Sequence, residues 1–157
     1  MIPPPNRIPW PPLLVSMAAL VAIGLGAVLP GPFWLSYPAF VIFGRTVMAI
    51  GLGLDLWAMF AMWRHRANIL PHRAATALVT TGPFAWSRNP IYLGNTVLLA
   101  GAAFAFRDPW FLPAAFASAY AVTRLAIRRE EAHLARSFGA EWENYRRRTA
   151  RWIGRSV

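Results

Sequence analysis

Between Leu13 and Leu29 the chain carries no charged residue, and nearly every side chain is apolar. Wound as a helix rising about 1.5 Å per residue, such a run is just long enough to cross the hydrocarbon core of a bilayer. It is long for the apolar part of a signal peptide, and no A-x-A cleavage site follows it, so it reads as a first transmembrane helix. Three further apolar runs succeed it, Ala39 to Trp63, Ile91 to Phe106 and Trp110 to Ile127. Ile91 to Phe106, about 24 Å as a helix, barely crosses. Composition agrees: 57% of residues are hydrophobic and 14% charged, where a soluble domain carries about 25% charged residues. The expected fold is all-α and integral to the membrane, with about four transmembrane helices and a C-terminal amphipathic helix packed on the cytoplasmic face.

The net charge is +10, and all sixteen basic residues are Arg. A basic chain suits nucleic acid, but Arg excess beside membrane spans is explained first by the positive-inside rule. The partner expected is the lipid bilayer, and no nucleic acid. Arg7, the acid-free loop with Arg64, Arg66, Arg73 and Arg88, and the Arg-rich tail lie on one side, opposite the charge-free Pro30–Pro38 turn. Both termini are therefore expected in the cytoplasm. The Pro-rich Met1 to Pro12 segment reads as an extended arm with Trp10 at headgroup depth. There is no Cys, and His65, His72 and His133 show no metal-ligand spacing; no metal is expected. Arg45 snorkels from the second span. Asp55 lies deeper, and a substrate role and a structural ion pair weigh about evenly for it.

The polar motifs cluster in Thr76 to Gly94. Gly82-Pro83 reads as a turn. Asn89 reads as an N-cap with Pro90 at the first helical position; Asp108 and Pro109 repeat that signal before the fourth run. A helix starting at Pro90 aims unpaired N–H groups at the preceding loop, which favours a carboxylate or phosphate. Phe84, Trp86 and Tyr92 add aromatic faces that attract a cation. Further on, Leu134, Phe138, Trp142 and Tyr145 form one apolar stripe of a helix bent at Gly139. Glu130 and Glu131 stand directly below a transmembrane helix, where anionic lipid repels them. Two carboxylates there need neighbouring Arg, or a cationic or hydroxyl-bearing ligand. Each residue has a blander use: Arg88 on lipid phosphate, Asn89-Pro90 as a cap, Tyr92 in an aromatic belt, Glu131 paired with Arg128. Trp142, Tyr145 and Trp152 read as packing or interface groups.

Gly82-Pro-Phe-Ala-Trp-Ser-Arg-Asn-Pro-Ile-Tyr-Leu-Gly94, followed by Glu130-Glu-Ala-His-Leu, Phe138-Gly139 and Tyr145, resembles the two-part signature of the isoprenylcysteine carboxyl methyltransferase and phospholipid methyltransferase superfamily. The resemblance covers roughly Thr76 to Trp152. It implies one membrane methyltransferase domain over 1–157, with an N-terminal helical hairpin (1–63) and a cofactor-binding core (64–157). The implied cofactor is S-adenosylmethionine, and the implied substrate a hydrophobic, membrane-resident acceptor. Carried over, Thr76, Ala77, Leu78 and Val79 line the cofactor through backbone groups. Gly82 and Phe84 lie near it, Asn89, Pro90 and Tyr92 form its wall, and Glu130 and Glu131 bind it from the other side. Arg88, Asn89 and Glu130 are the catalytic candidates. Asn89 stands where His is commoner, which removes an imidazole relay. The family's substrate-binding Arg falls on Ala126, leaving Arg124, Arg128 or Arg129 to substitute; Asp55, Arg124 and Arg128 are the substrate candidates.

The residues agree with such chemistry. A cationic sulfur suits Glu130 and aromatic faces, and a carboxylate suits a helix N-terminus or Arg88. The acceptor atom stays open among carboxylate, amine, thiol and hydroxyl on a lipid-like molecule. A sterol-reductase-like enzyme using NADPH is the rival reading, but its N-Y-x-G-[DE] pattern is not met, since Ile91 precedes Tyr92 and Asn95 follows Gly94. A non-enzymatic protein holding anionic lipid with its Arg-rich tail is the third.

Overall fold

The computed structural model describes residues 10–67 and 77–154, and these are helical with no strand among them. Helix α1 (Trp10–Val28) is followed by a 3₁₀ turn, Phe33–Ser36, and the long helix α2 (Pro38–Arg64); a second 3₁₀ turn, Gly82–Ala85, precedes α3 (Pro90–Ala105). Helix α4 (Phe111–Val122) passes through a π turn, Thr123–Ile127, directly into α5 (Arg128–Arg148). Helices α1 and α2 are long and apolar enough to cross a membrane, and α3 is a shorter apolar helix. Neither α1 nor α2 is a buried core helix: Leu20, Ile23, Ile42 and Leu56 face outward, as expected where the solvent is lipid rather than water.

Three boundaries differ from those expected. Helix α1 begins at Trp10 and takes in Pro11 and Pro12, because a first-turn residue has no intrahelical use for its N–H and proline costs nothing there. Asp108 does accept a hydrogen bond, from Trp110 N at 3.0 Å, yet Trp110 itself holds the N-cap position of α4. The apolar run ending at Ile127 is not one α-helix: its last five residues form a single widened turn, a local feature that tends to mark functional sites. The bend expected at Gly139 is present, with φ 49° and ψ −118° breaking α5 internally.

Helix α1 packs on α4, and α2 packs on α3, with α3 also against α4. The α2–α3 contact is close because glycines stand seven residues apart on both partners, Gly44 and Gly51 against Gly94 and Gly101. A Cβ on Gly101 would lie 2.7 Å from Met48 N, and one on Gly51 2.7 Å from Gly94 O, so backbone meets backbone. The notch left by Gly94 receives the Asp55 carboxylate. A core of Ala22, Leu99, Ala102, Ala103, Phe111 and Ala115 joins α1, α3 and α4. Near the opposite end of α1, Trp110 Nε1 donates to Leu29 O at 2.9 Å.

Candidate functional site

A cavity of about 490 Å³ opens at one end of the bundle. The first turns of α1 (Pro11, Pro12, Val15, Ser16) and the last turns of α2 (Met59, Met62) give it an apolar side. The loop before α3, the first turns of α3 and the start of α5 supply its polar side, so both halves of the two-part motif face one space.

Tyr92 and Glu130 meet there. The Tyr92 hydroxyl donates to Glu130 Oε1 at 2.7 Å, joining α3 to α5. Glu131, the next residue, takes a different set of partners. Arg151 grips it through two bonds, Nε to Oε1 at 3.0 Å and Nη2 to Oε2 at 2.5 Å. Arg88 Nη1 stands 3.3 Å from Glu131 Oε1, and the Arg88 guanidinium lies 5.6 Å from the centre of the Trp142 ring. Arg128, the partner that helix spacing suggests for Glu131, is not the one it uses. Burial pulls the Arg88 guanidinium below its ordinary value, with Glu131 opposing the shift, whereas the hydrogen bond to Glu131 raises Arg151.

A C-terminal turn holds the motif loop in place. Arg88 N donates to Ala150 O at 3.0 Å, and Gly154 N donates to Trp86 O at 3.0 Å. The carbonyl of Arg151 accepts from Asn89 Nδ2 at 3.1 Å and from Ser87 Oγ at 3.4 Å. Asn89 therefore sits at the N-cap position of α3 without capping it: its side chain makes no cap bond and is spent on the C-terminal turn. From α5, the Tyr145 hydroxyl donates to Phe84 O at 2.8 Å. Burial is the main cause, and Glu131 the other, that pushes the Tyr145 phenol well above its ordinary value.

Of the residues expected at the site, Ala77, Leu78, Val79, Phe84, Arg88, Asn89, Pro90, Tyr92, Glu130 and Glu131 line this cavity. Thr76 lies outside the described residues. Gly82 does not line it; its φ of 62° opens the 3₁₀ turn behind Phe84 beside Trp57, so it shapes the loop. Asp55 is not at the cavity wall either, and its Oδ1 is buried with no hydrogen bond among the described residues. Arg124 and Arg128 line a separate cleft of about 340 Å³ with Tyr120 and Trp152, where Arg124 Nε donates to the Tyr120 hydroxyl at 3.1 Å. These three substrate candidates are not brought to the cavity.

The wall also holds residues that sequence reasoning passed over. Trp142 and Tyr145, read as packing groups, are buried against the cavity. His133 and Leu134, one turn on from Glu130, line it too. The i, i+3 and i+4 spacing from Glu130 is the signal that finds them. No local signal marks Pro11, Val15, Met59 or Met62, which reach the site through helix packing alone.

A sequence model of the family "Phospholipid methyltransferase" matches residues 39–141. One relative is the nickel-cobalt-cadmium resistance protein NccN of Alcaligenes xylosoxydans xylosoxydans, 34% identical over 111 residues, which are 70% of this chain and 51% of NccN. The chain thus spans about half the length of that relative. No solved structure matches the chain. The matched stretch runs through both halves of the motif that converge on the cavity, and on that ground the chain belongs to the phospholipid methyltransferase family.

Proposed function

We propose that this chain is an integral membrane enzyme that binds S-adenosylmethionine in the 490 Å³ cavity and transfers its methyl group to a hydrophobic acceptor. The observation that carries the reading is the Tyr92–Glu130 hydrogen bond: the two motif halves, distant in sequence, meet at one space that also holds Arg88. The volume falls in the range of small-molecule sites, and the wall offers what a zwitterionic sulfonium needs. Glu130 and the rings of Phe84, Tyr92 and Trp142 suit its cationic parts. Arg88 and the first turn of α3 suit its carboxylate. The bound cofactor would supply an electrophilic methyl group on a cationic sulfur.

The protein's own share is orientation and shielding. Glu130, held by Tyr92, fixes one side of the cavity; the loop from Ala77 to Asn89, pinned by the C-terminal turn, fixes the other. The apolar side formed by Met59, Met62, Pro11 and Val15 is where an acceptor's hydrocarbon would lie. We place the cavity end in the cytoplasm together with both termini, because Arg64, Arg66, Arg88 and the α5 arginines gather there and Pro30 to Pro38 carries no charge. On this reading α1 to α4 all cross, and residues 1–157 act as one domain, since α1 and α2 each pack on a helix of the later part.

Incubating the purified protein with methyl-labelled S-adenosylmethionine and a total lipid extract tests it. The reading expects label in an organic-soluble product with wild type and none with Glu130→Gln. Labelled cofactor that neither binds nor loses its methyl group under any lipid condition contradicts it.

A further inference from the structure

The π turn that joins α4 to α5 builds a second site, apart from the cavity. Arg124 and Arg128 line one cleft of about 340 Å³ with Tyr120, Thr123 and Trp152, and none of these residues lines the 490 Å³ cavity. No carboxylate lines the cleft. The acids nearest in sequence are engaged elsewhere, Glu130 by Tyr92 and Glu131 by Arg151. Arg128 makes no hydrogen bond or ion pair among the described residues. Arg124 is aimed by Tyr120: its Nε donates to the hydroxyl at 3.1 Å, and its guanidinium lies 5.2 Å from the centre of the ring. The Thr123 hydroxyl is spent on Ala119 O at 2.7 Å. The cleft is therefore left with two guanidiniums and the Tyr120 O–H as donors, and with no anion to receive them.

The surface beside the cleft says what kind of anion fits. Phe116 and Tyr120 are 72% and 63% exposed, and with Arg124 they follow one another at i, i+4 spacing on α4 and the π turn. One stripe thus runs from apolar, through a ring with a polar tip, to basic. Trp152 stands at the basic end, where an indole suits headgroup depth. A lone phosphate ion would use the guanidiniums and leave the apolar part of the stripe without a partner. A phospholipid uses both, its phosphate on the arginines and an acyl chain along Phe116. Two cations with no carboxylate between them repel a choline group, so the cleft favours an anionic headgroup over a zwitterionic one.

We propose that Arg124, Arg128 and Tyr120 hold the headgroup of an anionic phospholipid where α4 leaves the membrane. The inference uses the membrane placement of α4 proposed above, but neither the cofactor nor the methyl transfer. Trp152 ties this site to the rest of the molecule. It belongs to the C-terminal turn whose neighbour Arg151 grips Glu131 and accepts from Asn89, so a lipid lodged against Trp152 braces the turn that pins the motif loop.

Native mass spectrometry of the full-length, delipidated protein in detergent would compare phosphatidylglycerol with phosphatidylcholine of the same acyl chains. Wild type is expected to hold one phosphatidylglycerol at least tenfold more tightly than phosphatidylcholine. Arg124→Ala combined with Arg128→Ala should lose that preference. Arg136→Ala combined with Arg147→Ala removes the same charge from exposed positions outside the cleft and should keep it. Hydrogen exchange on wild type gives a second readout that needs no variant to fold. Phosphatidylglycerol should slow the Ala150 and Gly154 amides, whose bonds close the turn that carries Trp152, and phosphatidylcholine should not. Equal wild-type affinities for the two lipids, or exchange unchanged by phosphatidylglycerol, would overturn the site. An equal loss in both double variants would assign the preference to diffuse surface charge and also overturn it. Release of phosphatidylglycerol by inorganic phosphate at matched concentration would give the cleft to a free ion and overturn the lipid. None of these outcomes depends on S-adenosylmethionine, so the site stands or falls apart from the proposed function.

Discussion

Tyr92 and Glu130, separated by 38 positions, share a hydrogen bond of 2.7 Å across the cavity. Its shortness is that of a hydroxyl on a carboxylate. The bond fixes the orientation of Glu130, so removing either partner should act on ligand binding. Glu130→Gln is expected to lose at least tenfold in affinity for S-adenosylmethionine, about 1.4 kcal/mol for one charge-assisted contact. Tyr92→Phe should lose less, about three- to tenfold, because Glu130 keeps its charge and loses only the bond that orients it. Titration calorimetry reads both, and unchanged affinity in Glu130→Gln would remove that residue from the site.

Glu131 should behave differently although it is the neighbouring residue. It is tied to Arg151 and Arg88, so Glu131→Gln strands two guanidiniums and should lower stability. Breaking a fully buried pair costs ~3–5 kcal/mol; because Arg151 is 35% exposed, solvent screening brings the expectation to about 1–2 kcal/mol. Arg151→Ala should do the same, and should speed hydrogen exchange at the Arg88 and Gly154 amides, which close the C-terminal turn on the motif loop. Thermal unfolding in detergent and exchange mass spectrometry check this. A Glu131→Gln protein that melts like wild type would show that the turn is held by its hydrogen bonds to the motif loop without the Glu131 ion pairs.

The glycine rows give a prediction about packing. A methyl group on Gly101 meets backbone at 2.7 and 2.8 Å, whereas nothing lies within 4 Å of one on Gly53. Gly101→Ala should therefore cost about 1–3 kcal/mol through overpacking. Gly53→Ala should be neutral or stabilise by up to roughly 1 kcal/mol from helix propensity. Comparing melting temperatures of the two variants decides it, and equal temperatures would argue against the close α2–α3 approach.

Tyr145 carries a pH signature. Its phenol is raised above the ordinary value of about 10, so the folded state holds the neutral hydroxyl that donates to Phe84 O. The contribution is fully present below that ordinary value and is lost as pH rises from there through the raised folded one. Stability should fall as pH rises from 9 to 11, and less steeply in Tyr145→Phe. Equal slopes for the two proteins would remove Tyr145 from the alkaline transition.

How far the sequence could be read depended on how local the deciding force was. The apolar runs mark the helices because spanning lipid is a demand on length and polarity that each run meets by itself. The motif halves around Asn89 and Glu130 read together because they resemble one family's two-part signature, although apart from Glu130 each residue has a blander use by itself. Asn89 holds the N-cap position that the sequence gives it, but its side chain makes no cap bond, since it is anchored to Arg151 O, 62 residues away. Trp142 and Tyr145 fit an amphipathic stripe so well that their place at the cavity was hidden. Asp55 drew attention as an ionisable group within a span, yet it packs into the Gly94 notch, a fit visible only once α2 and α3 are side by side. Pro11, Val15, Met59 and Met62 reach the wall through packing, for which no single stretch of sequence has a sign.

Titrating the purified wild-type protein in turn with S-adenosylmethionine, S-adenosylhomocysteine and NADPH tests the central claim most directly. The account predicts saturable binding of the first two, each displacing the other at one site per chain, and no binding of NADPH. Binding of NADPH alone, or of none of the three, would contradict it.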